Sequence, residues 1–396
     1  MSAVIVHKMS VYPLTIPLRR TISHGICERD MSEPVVVSVE LRDGTIGYGE
    51  TVPRFHVTGE SSESVVETVC ELFLPSAVDF HPRSFPEALE AIEALPWKDG
   101  TDHLIPAARA AVELALLDAV LRVYGRRVDD VVRWMGAVGF GLPGSIERVR
   151  FSGVLAPERT AKMLRQLRLM YWGGLRDFKL KIRGGDDGSR LRFVVGYLGR
   201  SVRDGRATLR LDANGVWSKD EAIEWLSDTS DMPFTLLEQP LPRGLEGELP
   251  ILRDLFDVAL VHDESLITRE DGERLINLGV ADVFNIRISK CGGLIPALQL
   301  AALARRSKVR IQLGCMMGET SILSAAGLRF LQVCPGVEWA EGCFGSSLIS
   351  SDVIRRGLRF GYGGKPPRVR GDGLGVSVDP QRLVNLCSTK PIVLNL

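Results

Sequence analysis

The sequence predicts an α/β protein in two parts, a barrel of alternating strands and helices and a smaller α+β domain before it. Three observations lead to this prediction. Short apolar runs alternate with helical stretches in the second half of the chain, five of those runs end in polar side chains at regular spacing, and the first half has strands followed by helices. Alternation is typical of a parallel sheet covered by helices, and strands followed by helices are typical of α+β folds.

The N-terminal part predicts the smaller domain, over residues 1–130. The run VSVELRDGTIGYGE alternates apolar and polar residues around Asp43-Gly44, which is typical of an antiparallel hairpin. Two helices are predicted after it, one over residues 61–74 that begins with serines suited to an N-cap, and an Ala- and Leu-rich one over residues 105–123. The Gly- and Pro-rich end of the chain, residues 362–396, lacks helical period, and we expect it to return to this domain.

The barrel is predicted over residues 145–361, after a Gly- and Pro-rich segment. Eight apolar runs separated by helical stretches predict its strands. The predicted strands are residues 149–154, 176–182, 207–213, 235–238, 258–263, 282–288, 309–313 and 337–340. Eight strands with helices between most of them are typical of a (β/α) barrel.

Five of these strands end in side chains that a buried strand seldom contains. They are Lys179 and Lys181, Asp212 and Asn214, Glu238, Asp263, and Asn285 with Lys290. From Lys181 onward the successive ends are roughly 25 to 30 residues apart, the length of one strand and helix unit. Because the carboxyl ends of barrel strands converge on the face where barrel enzymes perform their chemistry, we expect these side chains to form one site.

Three carboxylates from adjacent strand ends, Asp212, Glu238 and Asp263, predict a metal site. No His or Cys accompanies all three, and hard oxygen ligands suit Mg²⁺ better than zinc. The alternative is that each carboxylate caps a strand end or forms an ordinary ion pair, which structural networks often contain.

The lysines at the strand ends predict proton transfer. Only ten of the 49 basic residues are lysines, yet Lys179, Lys181 and Lys290 are lysines, and a buried lysine can titrate whereas arginine cannot. Lys181 and Lys290 can approach a substrate from opposite faces, with Lys179 as a neighbouring cation. Mg²⁺ on a substrate carboxylate would offset the charge formed when an α proton is removed. A buried network that only neutralises the carboxylates is the competing interpretation.

Composition excludes several other classes. Acidic and basic residues are equal in number, 49 each, so neither a nucleic-acid partner nor a membrane surface is expected. No run of about 18 apolar residues and no leader-like N-terminus is present, and the seven cysteines form no C-x-x-C pair. We therefore expect a cytoplasmic protein with reduced thiols.

The ordered motifs resemble those of the muconate-lactonizing-enzyme subgroup of the enolase superfamily. They are K-x-K at 179–181, LDANGVW, LLEQP, DES, SKCGG, GYGE at 47–50, VTGES at 57–61, AARAAVELALLD and GDGLGV. The resemblance implies a (β/α)₇β modified TIM barrel with an N-terminal α+β capping domain, often assembled as a homo-oligomer. It also implies that Asp212, Glu238 and Asp263 bind Mg²⁺, that Lys181 and Lys290 are the acid/base pair, and that Lys179 is an auxiliary cation.

The resemblance further implies α-proton abstraction from a small carboxylate substrate through an enediolate. The segment PRFHVTGES is similar to a cap loop of dipeptide epimerases, which favours epimerisation or racemisation of a dipeptide or amino-acid derivative. Those enzymes have D-x-D at the end of strand eight for the substrate ammonium, where this chain has Glu338 and Glu341. The other expected substrate contacts are Arg20, His24 and His56 on cap loops, Asn214, and Glu319, which we expect to line the pocket or bond to Lys290.

Several alternatives remain open from the sequence. Within the superfamily these are a cycloisomerase, an o-succinylbenzoate synthase or an acid dehydratase, in which one lysine acts as base and the other stabilises charge. A Schiff-base aldolase also needs only a strand-end lysine. A metal-stabilised barrel that binds without catalysis is the alternative outside enzymes.

Overall fold

A computed structural model describes residues 4–24, 27–142, 146–156, 160–183 and 187–396, without the side chains of residues 20, 22–24, 27, 28 and 76. The strands are β1 (Val6–Pro13), β2 (Ile16–His24), β3 (Cys27–Ser32), β4 (Val35–Leu41), β5 (Ile46–Thr51), β6 (Gly153–Leu155), β7 (Asp177–Lys181), β8 (Thr208–Asp212), β9 (Leu236–Glu238), β10 (Leu260–His262), β11 (Val283–Ile286), β12 (Arg310–Leu313), β13 (Val337–Ala340) and β14 (Ile392–Asn395). The α-helices are α1 (Phe55–Thr58), α2 (Ser62–Thr68), α3 (Leu74–Ala77), α4 (Phe85–Glu93), α5 (Pro106–Val123), α6 (Val128–Trp134), α7 (Thr160–Trp172), α8 (Asp187–Arg203), α9 (Lys219–Asp228), α10 (Leu249–Phe256), α11 (Arg269–Asn277), α12 (Leu294–Arg306), α13 (Ser321–Val333) and α14 (Pro380–Asn385).

The cap is built on an antiparallel sheet in the order β14-β1-β4-β5, with β2 and β3 as a separate two-stranded ribbon. The predicted hairpin is β4 and β5, which turns at Asp43-Gly44. Helix α5 lies close against β5, because a Cβ on Gly49 would stand 2.0 Å from Ala111 O. Nearly every side chain of α5 is buried, which agrees with its Ala- and Leu-rich sequence.

The helix predicted over residues 61–74 is present but is not continuous. Ser61 caps α2 by accepting a bond from Ser64 N at 3.2 Å, as its residue type suggests. The π-helix Val69–Phe73 then joins α2 to α3.

The C-terminal residues lie in the cap sheet. Strand β14 pairs antiparallel with β1, with Lys8 opposite Asn395 and Val11 opposite Ile392. The first and last strands of the chain are therefore neighbours.

The barrel of the described residues has eight parallel strands in sequential order from β6 to β13, with helices α7 to α13 between successive strands. A parallel bridge joins Phe151 to Ala340, and Ser152 N donates to Ala340 O at 2.8 Å. This bridge closes the sheet between its two edge strands. The predicted (β/α)₇β barrel with an α+β cap is confirmed.

The first barrel strand is shorter and later than predicted. Regular pairing begins at Gly153 instead of residue 149. Residues 146–148 form a 3₁₀ turn, and Phe151 N donates to Gly364 O in the C-terminal segment at 2.8 Å. Before Gly153 the backbone therefore bonds to the C-terminal segment and, through one bridge, to β13, and its regular pairing with β7 starts only at Gly153.

Alternation along the strands separates an apolar layer from a polar one. Leu236, Val261, Val283 and Trp339 pack together as one buried cluster. The residues two positions further along the chain are Glu238, Asp263, Asn285 and Glu341. Because side chains two apart in a strand share a side, the polar set follows the apolar set toward the carboxyl ends of the strands.

Among the helices of the described residues, none combines the length and apolar character that crossing a membrane requires.

Candidate active site

The three carboxylates predicted as metal ligands lie at neighbouring strand ends and are fully buried. Asp212 ends β8, Glu238 ends β9 and Asp263 directly follows β10. Lys179 Nζ lies 2.8 Å from Glu238 Oε1 and 3.4 Å from Asp212 Oδ2. The polar strand ends that were predicted to meet are therefore in contact.

The three carboxylates form a row from Asp212 to Asp263, and Lys181 lies at the Asp212 end of it. Its Nζ lies 3.3 Å from Asp212 Oδ2 and donates to Asn214 Oδ1 at 3.0 Å. Asn214 in turn donates to Glu264 Oε1 at 3.3 Å. Burial raises the pKa of Glu264 to about 7, and the charges of Asp212 and Glu238 add to that effect.

Lys290 stands at the opposite end of the row. Its Nζ donates to Asp263 Oδ1 at 3.0 Å and to the backbone oxygens of Asp263 and Asn285 at 2.5 and 3.0 Å. Burial lowers the pKa of Lys290 to about 8, and the nearby Arg287 guanidinium also lowers it. Arg287 forms an ion pair with the other oxygen of Asp263.

Lys179 is held between carboxylates. Besides Asp212 and Glu238, its Nζ lies 2.8 Å from Glu341 Oε1. Burial opposes its charge, but Glu238, Glu341 and Asp212 raise the pKa of Lys179 above its ordinary value. Such a lysine is a fixed cation rather than a base.

The chemistry of the three carboxylates fits a divalent cation, although the ammonium groups of Lys179, Lys181 and Lys290 contact them in this structure. In the described part of the chain, no three His, Cys, Asp or Glu side chains are grouped as ligands of one ion. Three buried carboxylates from adjacent strand ends nonetheless supply the hard oxygens that Mg²⁺ prefers. The buried Glu264 Oε2 also has no hydrogen-bond partner among the described residues.

The residues expected to bind substrate divide into three groups. Asn214, His56 and Glu341 lie at the site, since Asn214 bonds to Lys181 and the other two line the cavity beside it. The side chains of Arg20 and His24 lie outside the described residues.

Two of the expected residues are not brought to Lys290 or to the main cavity. Glu338 is exposed on β13. Partial burial raises the pKa of Glu338, and the charge of Arg310 opposes that rise. Glu319 does not bond to Lys290, which was one of the two contacts expected of it. Its oxygens instead accept bonds from Ser324 Oγ at 2.8 Å and Met316 N at 3.3 Å, beside a small cavity of about 20 Å³. Burial raises the pKa of Glu319 to about 7.

A cavity of about 310 Å³ lies between cap and barrel, beside Lys179 and Lys181. Its charged and His lining is Arg29, Arg54 and His56 from the cap, and Lys179, Lys181, Arg287 and Glu341 from the barrel. Its apolar lining includes Val154, Met170, Leu175, Phe344, Leu348 and Phe360. The cavity has the size and the mixed lining of a small-molecule site.

The sequence analysis missed four arginines of the site, Arg29, Arg54, Arg210 and Arg287. Arg210 is two residues before Asp212, and Arg287 is two residues after Asn285, so strand alternation placed both on the site's side. Attention to charged residues inside the apolar runs, and not only at their ends, would have found them. Arg54 belongs to α1 and its preceding loop and has no such periodicity.

Comparison with known proteins shows the family of the chain. The family described as Enolase C-terminal domain-like matches residues 162–382. The L-Lys-D/L-Arg epimerase of Methylococcus capsulatus is 30% identical over 353 residues, covering 88% of this chain and 91% of that protein. The hydrophobic dipeptide epimerase of Enterococcus faecalis is 26% identical over 364 residues, covering 88% and 96%.

The fold likewise agrees with a solved structure. The N-succinyl Arg/Lys racemase of Bacillus cereus superposes with a TM-score of 0.83 at 23% identity, covering 99% of this chain and all of that one. Muconate lactonizing enzyme is also among the structures with this fold. The chain is an isomerase that belongs to the enolase superfamily, among the relatives of muconate-lactonizing enzyme and the dipeptide epimerases.

Proposed function

We propose that this isomerase removes the proton α to a substrate carboxylate and returns a proton to the other face, which epimerises or racemises an amino-acid derivative. Lys181 and Lys290 would be the two bases. The supporting observation is their separation: Lys181 contacts Asp212 and Lys290 contacts Asp263, at the two ends of the row of carboxylates. Two amines so arranged can reach one α carbon from opposite sides.

Asp212, Glu238 and Asp263 would hold Mg²⁺, which when bound offsets the negative charge that grows on the substrate carboxylate. Lys181 and Lys290 would act one after the other, as base and as acid. The one that faces the α proton takes it, giving the enediolate, and the opposite one, already protonated, delivers a proton. Lys179 stays charged among Asp212, Glu238 and Glu341 and keeps those side chains in place.

The relatives support an amino-acid derivative as substrate, since two of them are named as epimerases of dipeptides and one as a racemase of N-succinyl amino acids. The second candidate is a one-base reaction, cycloisomerisation or elimination, in which one lysine abstracts the proton and the other only stabilises charge. Muconate cycloisomerases among the relatives support that candidate.

The test is exchange of the α proton in deuterated water with Mg²⁺, measured by NMR and mass spectrometry on both enantiomers of dipeptides and N-acylamino acids. We expect Lys181→Ala to lose exchange from one enantiomer and Lys290→Ala from the other, each by about 10² to 10⁴-fold. Chelation should abolish exchange, and added Mg²⁺ should restore it.

Lys365→Ala is the matched control, because Lys365 is exposed and does not line the cavity. Loss of exchange from both enantiomers in a single lysine variant would favour the one-base reaction. Covalent trapping of substrate by borohydride, without a metal requirement, would favour the aldolase instead.

A further inference from the structure

The wall of the cavity is strongly cationic. The described lining residues that bear full charge are Arg29, Arg54, Lys179, Lys181, Arg287 and Glu341. Five of these are cations and one is an acid. Lys179, Lys181 and Arg287 are paired with buried carboxylates of the site, so the positive charge that a ligand ammonium would meet lies with the cap arginines.

The one acid on the described lining is already neutralised. Glu341 Oε1 lies 2.8 Å from Lys179 Nζ and 3.1 Å from Arg210 Nη1. Burial opposes its charge, but these two cations lower the pKa of Glu341 below its ordinary value. A substrate ammonium at Glu341 would be a third cation on one carboxylate, so this residue is unsuited to replace the D-x-D pair of dipeptide epimerases.

The cap arginines face the cavity with little compensation. Arg54 is buried and donates to two backbone oxygens, Pro53 O at 3.0 Å and Met317 O at 2.8 Å, which have no net charge. Arg29 has a partner, Glu33, at 3.5 Å, and that carboxylate is half exposed to solvent. Among the described residues, the positive charge of Arg29 and Arg54 at this end of the cavity is therefore larger than the negative charge beside it.

The pKa of His56 is affected by the same positive charges. Burial lowers the pKa of His56 to about 4, and the charged groups that lower it further are Arg287, Arg54, Arg29 and Lys181. All four are cations. The imidazole is therefore neutral in this environment, and can only serve as a hydrogen-bond partner.

An apolar wall completes the cavity. Met170 of α7 and Leu175 before β7 form one part of it, and Phe344, Leu348 and Phe360 of the segment after β13 form the other. These side chains suit an uncharged body between two charged ends.

We propose that the substrate is a dianion without a free ammonium, whose second carboxylate binds at Arg29 and Arg54 and whose middle contacts the apolar wall. The proposal rests on the proposed function, in which Asp212, Glu238 and Asp263 would hold the Mg²⁺ that offsets the charge of the α-carboxylate. An amino acid whose nitrogen is acylated by a dicarboxylic acid has this chemistry, and so does an unsaturated dicarboxylic acid. A free dipeptide with a neutral side chain does not.

The test compares ligands that differ in one group, by isothermal titration calorimetry with Mg²⁺. N-succinyl-L-leucine is compared with its succinamoyl analogue, in which an amide replaces the distal carboxylate, and with L-alanyl-L-leucine. Because a hydrogen bond to a charged group is strong, we expect the succinyl compound to bind the wild-type protein about tenfold to hundredfold more tightly than either.

The variants locate the second carboxylate. Arg54→Gln and Arg29→Gln should each reduce the preference for succinyl over succinamoyl toward unity. Arg42→Gln, an exposed cap arginine that does not line the cavity, should leave it unchanged. Arg29 is partly exposed, so its variant keeps the test valid if Arg54→Gln does not fold.

Binding and exchange separate the two proposals. Equal affinity for the succinyl and succinamoyl compounds, or tighter binding of the dipeptide, overturns the dianion proposal whether or not exchange occurs. Preferential binding of the succinyl compound without α-proton exchange supports the dianion and counts against the proposed function. Tighter binding of cis,cis-muconate than of the succinyl compound identifies a dicarboxylic acid as the source of the two charges.

Discussion

Arg210 connects buried side chains of several barrel strands beside the site. It is fully buried inside the barrel, and its guanidinium contacts Glu341 at 3.1 Å and Ser152 Oγ at 2.6 Å. It also donates to Gln312, whose amide donates to Glu238 Oε2 at 3.0 Å. A single guanidinium therefore links strands β8, β12 and the segments beside β6 and β13.

We predict that Arg210→Met lowers the free energy of unfolding by about 3 to 5 kcal/mol. The substitution removes the cation of a buried ion pair with Glu341 and leaves the oxygens of Gln312 and Ser152 without their donor. Urea denaturation followed by circular dichroism measures the change. Arg200→Met is the matched control, since Arg200 is exposed on α8 and should change stability by less than about 0.5 kcal/mol. Equal small effects would mean that the network adds nothing to stability.

The sequence was informative at single residues where strand alternation applied. Asp212, Glu238 and Asp263 were identified by their position at strand ends, and the same alternation would have selected Arg210. For Glu338 and Glu341 it was ambiguous, because β12 and β13 pair with an irregular register and Glu341 follows the strand. Only the pairing in space shows which of the two faces inward.

At the scale of elements, cap helix α5 holds the loop that contains Lys290. Glu113 accepts bonds from Leu294 N at 3.0 Å and Ile295 N at 2.8 Å, at the first turn of α12. Arg109, also on α5, donates to Gly292 O at 2.5 Å. Gly293 has a φ of 126°, and a Cβ there would lie 2.5 Å from the Glu113 carboxyl, so glycine is required.

We predict that Glu113→Gln reduces α-proton exchange at the face served by Lys290 by about tenfold, while exchange at the Lys181 face changes by less than about twofold. The reason is that the amide can accept fewer bonds than the carboxylate, so the loop before α12 loses part of its anchor. Exchange of the two enantiomers in deuterated water measures the ratio.

Glu60→Gln is the matched control for that prediction. Glu60 is a buried carboxylate that likewise accepts bonds at a helix N-terminus, from Ala107 N at 2.7 Å and Ala108 N at 2.9 Å, but it lies within the cap. It should lower both exchange rates equally or not at all. A proportional loss at both faces in Glu113→Gln would contradict a positioning role.

Strands and helices were predictable where apolar residues recur with a regular period along the sequence. Alternating apolar runs and helices identified all the barrel strands, and only the first was misplaced, where the C-terminal segment pairs with Phe151. The bonds between Glu113 and α12 join residues about 180 positions apart. No local pattern records such a contact, because it depends on how the cap docks on the barrel.

For the whole molecule, cap and barrel are joined by carboxylates of the cap at the N-termini of barrel helices. Besides Glu113 at α12, Glu50 of β5 accepts bonds from Thr320 N at 2.6 Å, Thr320 Oγ1 at 2.7 Å and Leu323 N at 2.8 Å, at the start of α13. Helix N-termini favour acceptors of this kind. These two contacts help to fix the cap arginines relative to the barrel lysines, together with bonds such as Thr51 Oγ1 to Ser289 Oγ at 2.7 Å.

Stability should therefore depend on pH through Glu50. Burial raises the pKa of Glu50 from its ordinary 4.5 to about 8, although its hydrogen bonds with Thr320 and Leu323 act in the opposite direction. Between these two values the folded protein keeps a proton that the unfolded chain has released. This contribution to stability is complete below pH 4.5 and is lost as the pH rises to about 8.

We predict that the free energy of unfolding of the wild type, minus that of Glu50→Gln, falls by up to about 1.4 kcal/mol per pH unit across that window and is constant above it. Taking the difference cancels the titration of other groups, such as His262, which both proteins share. Urea denaturation at steps from about pH 5 to about pH 9 measures it. A difference that stays constant from about pH 5 to about pH 9 would contradict this, because it would mean that Glu50 is already a carboxylate in the folded protein and is held as such by the α13 N-terminus.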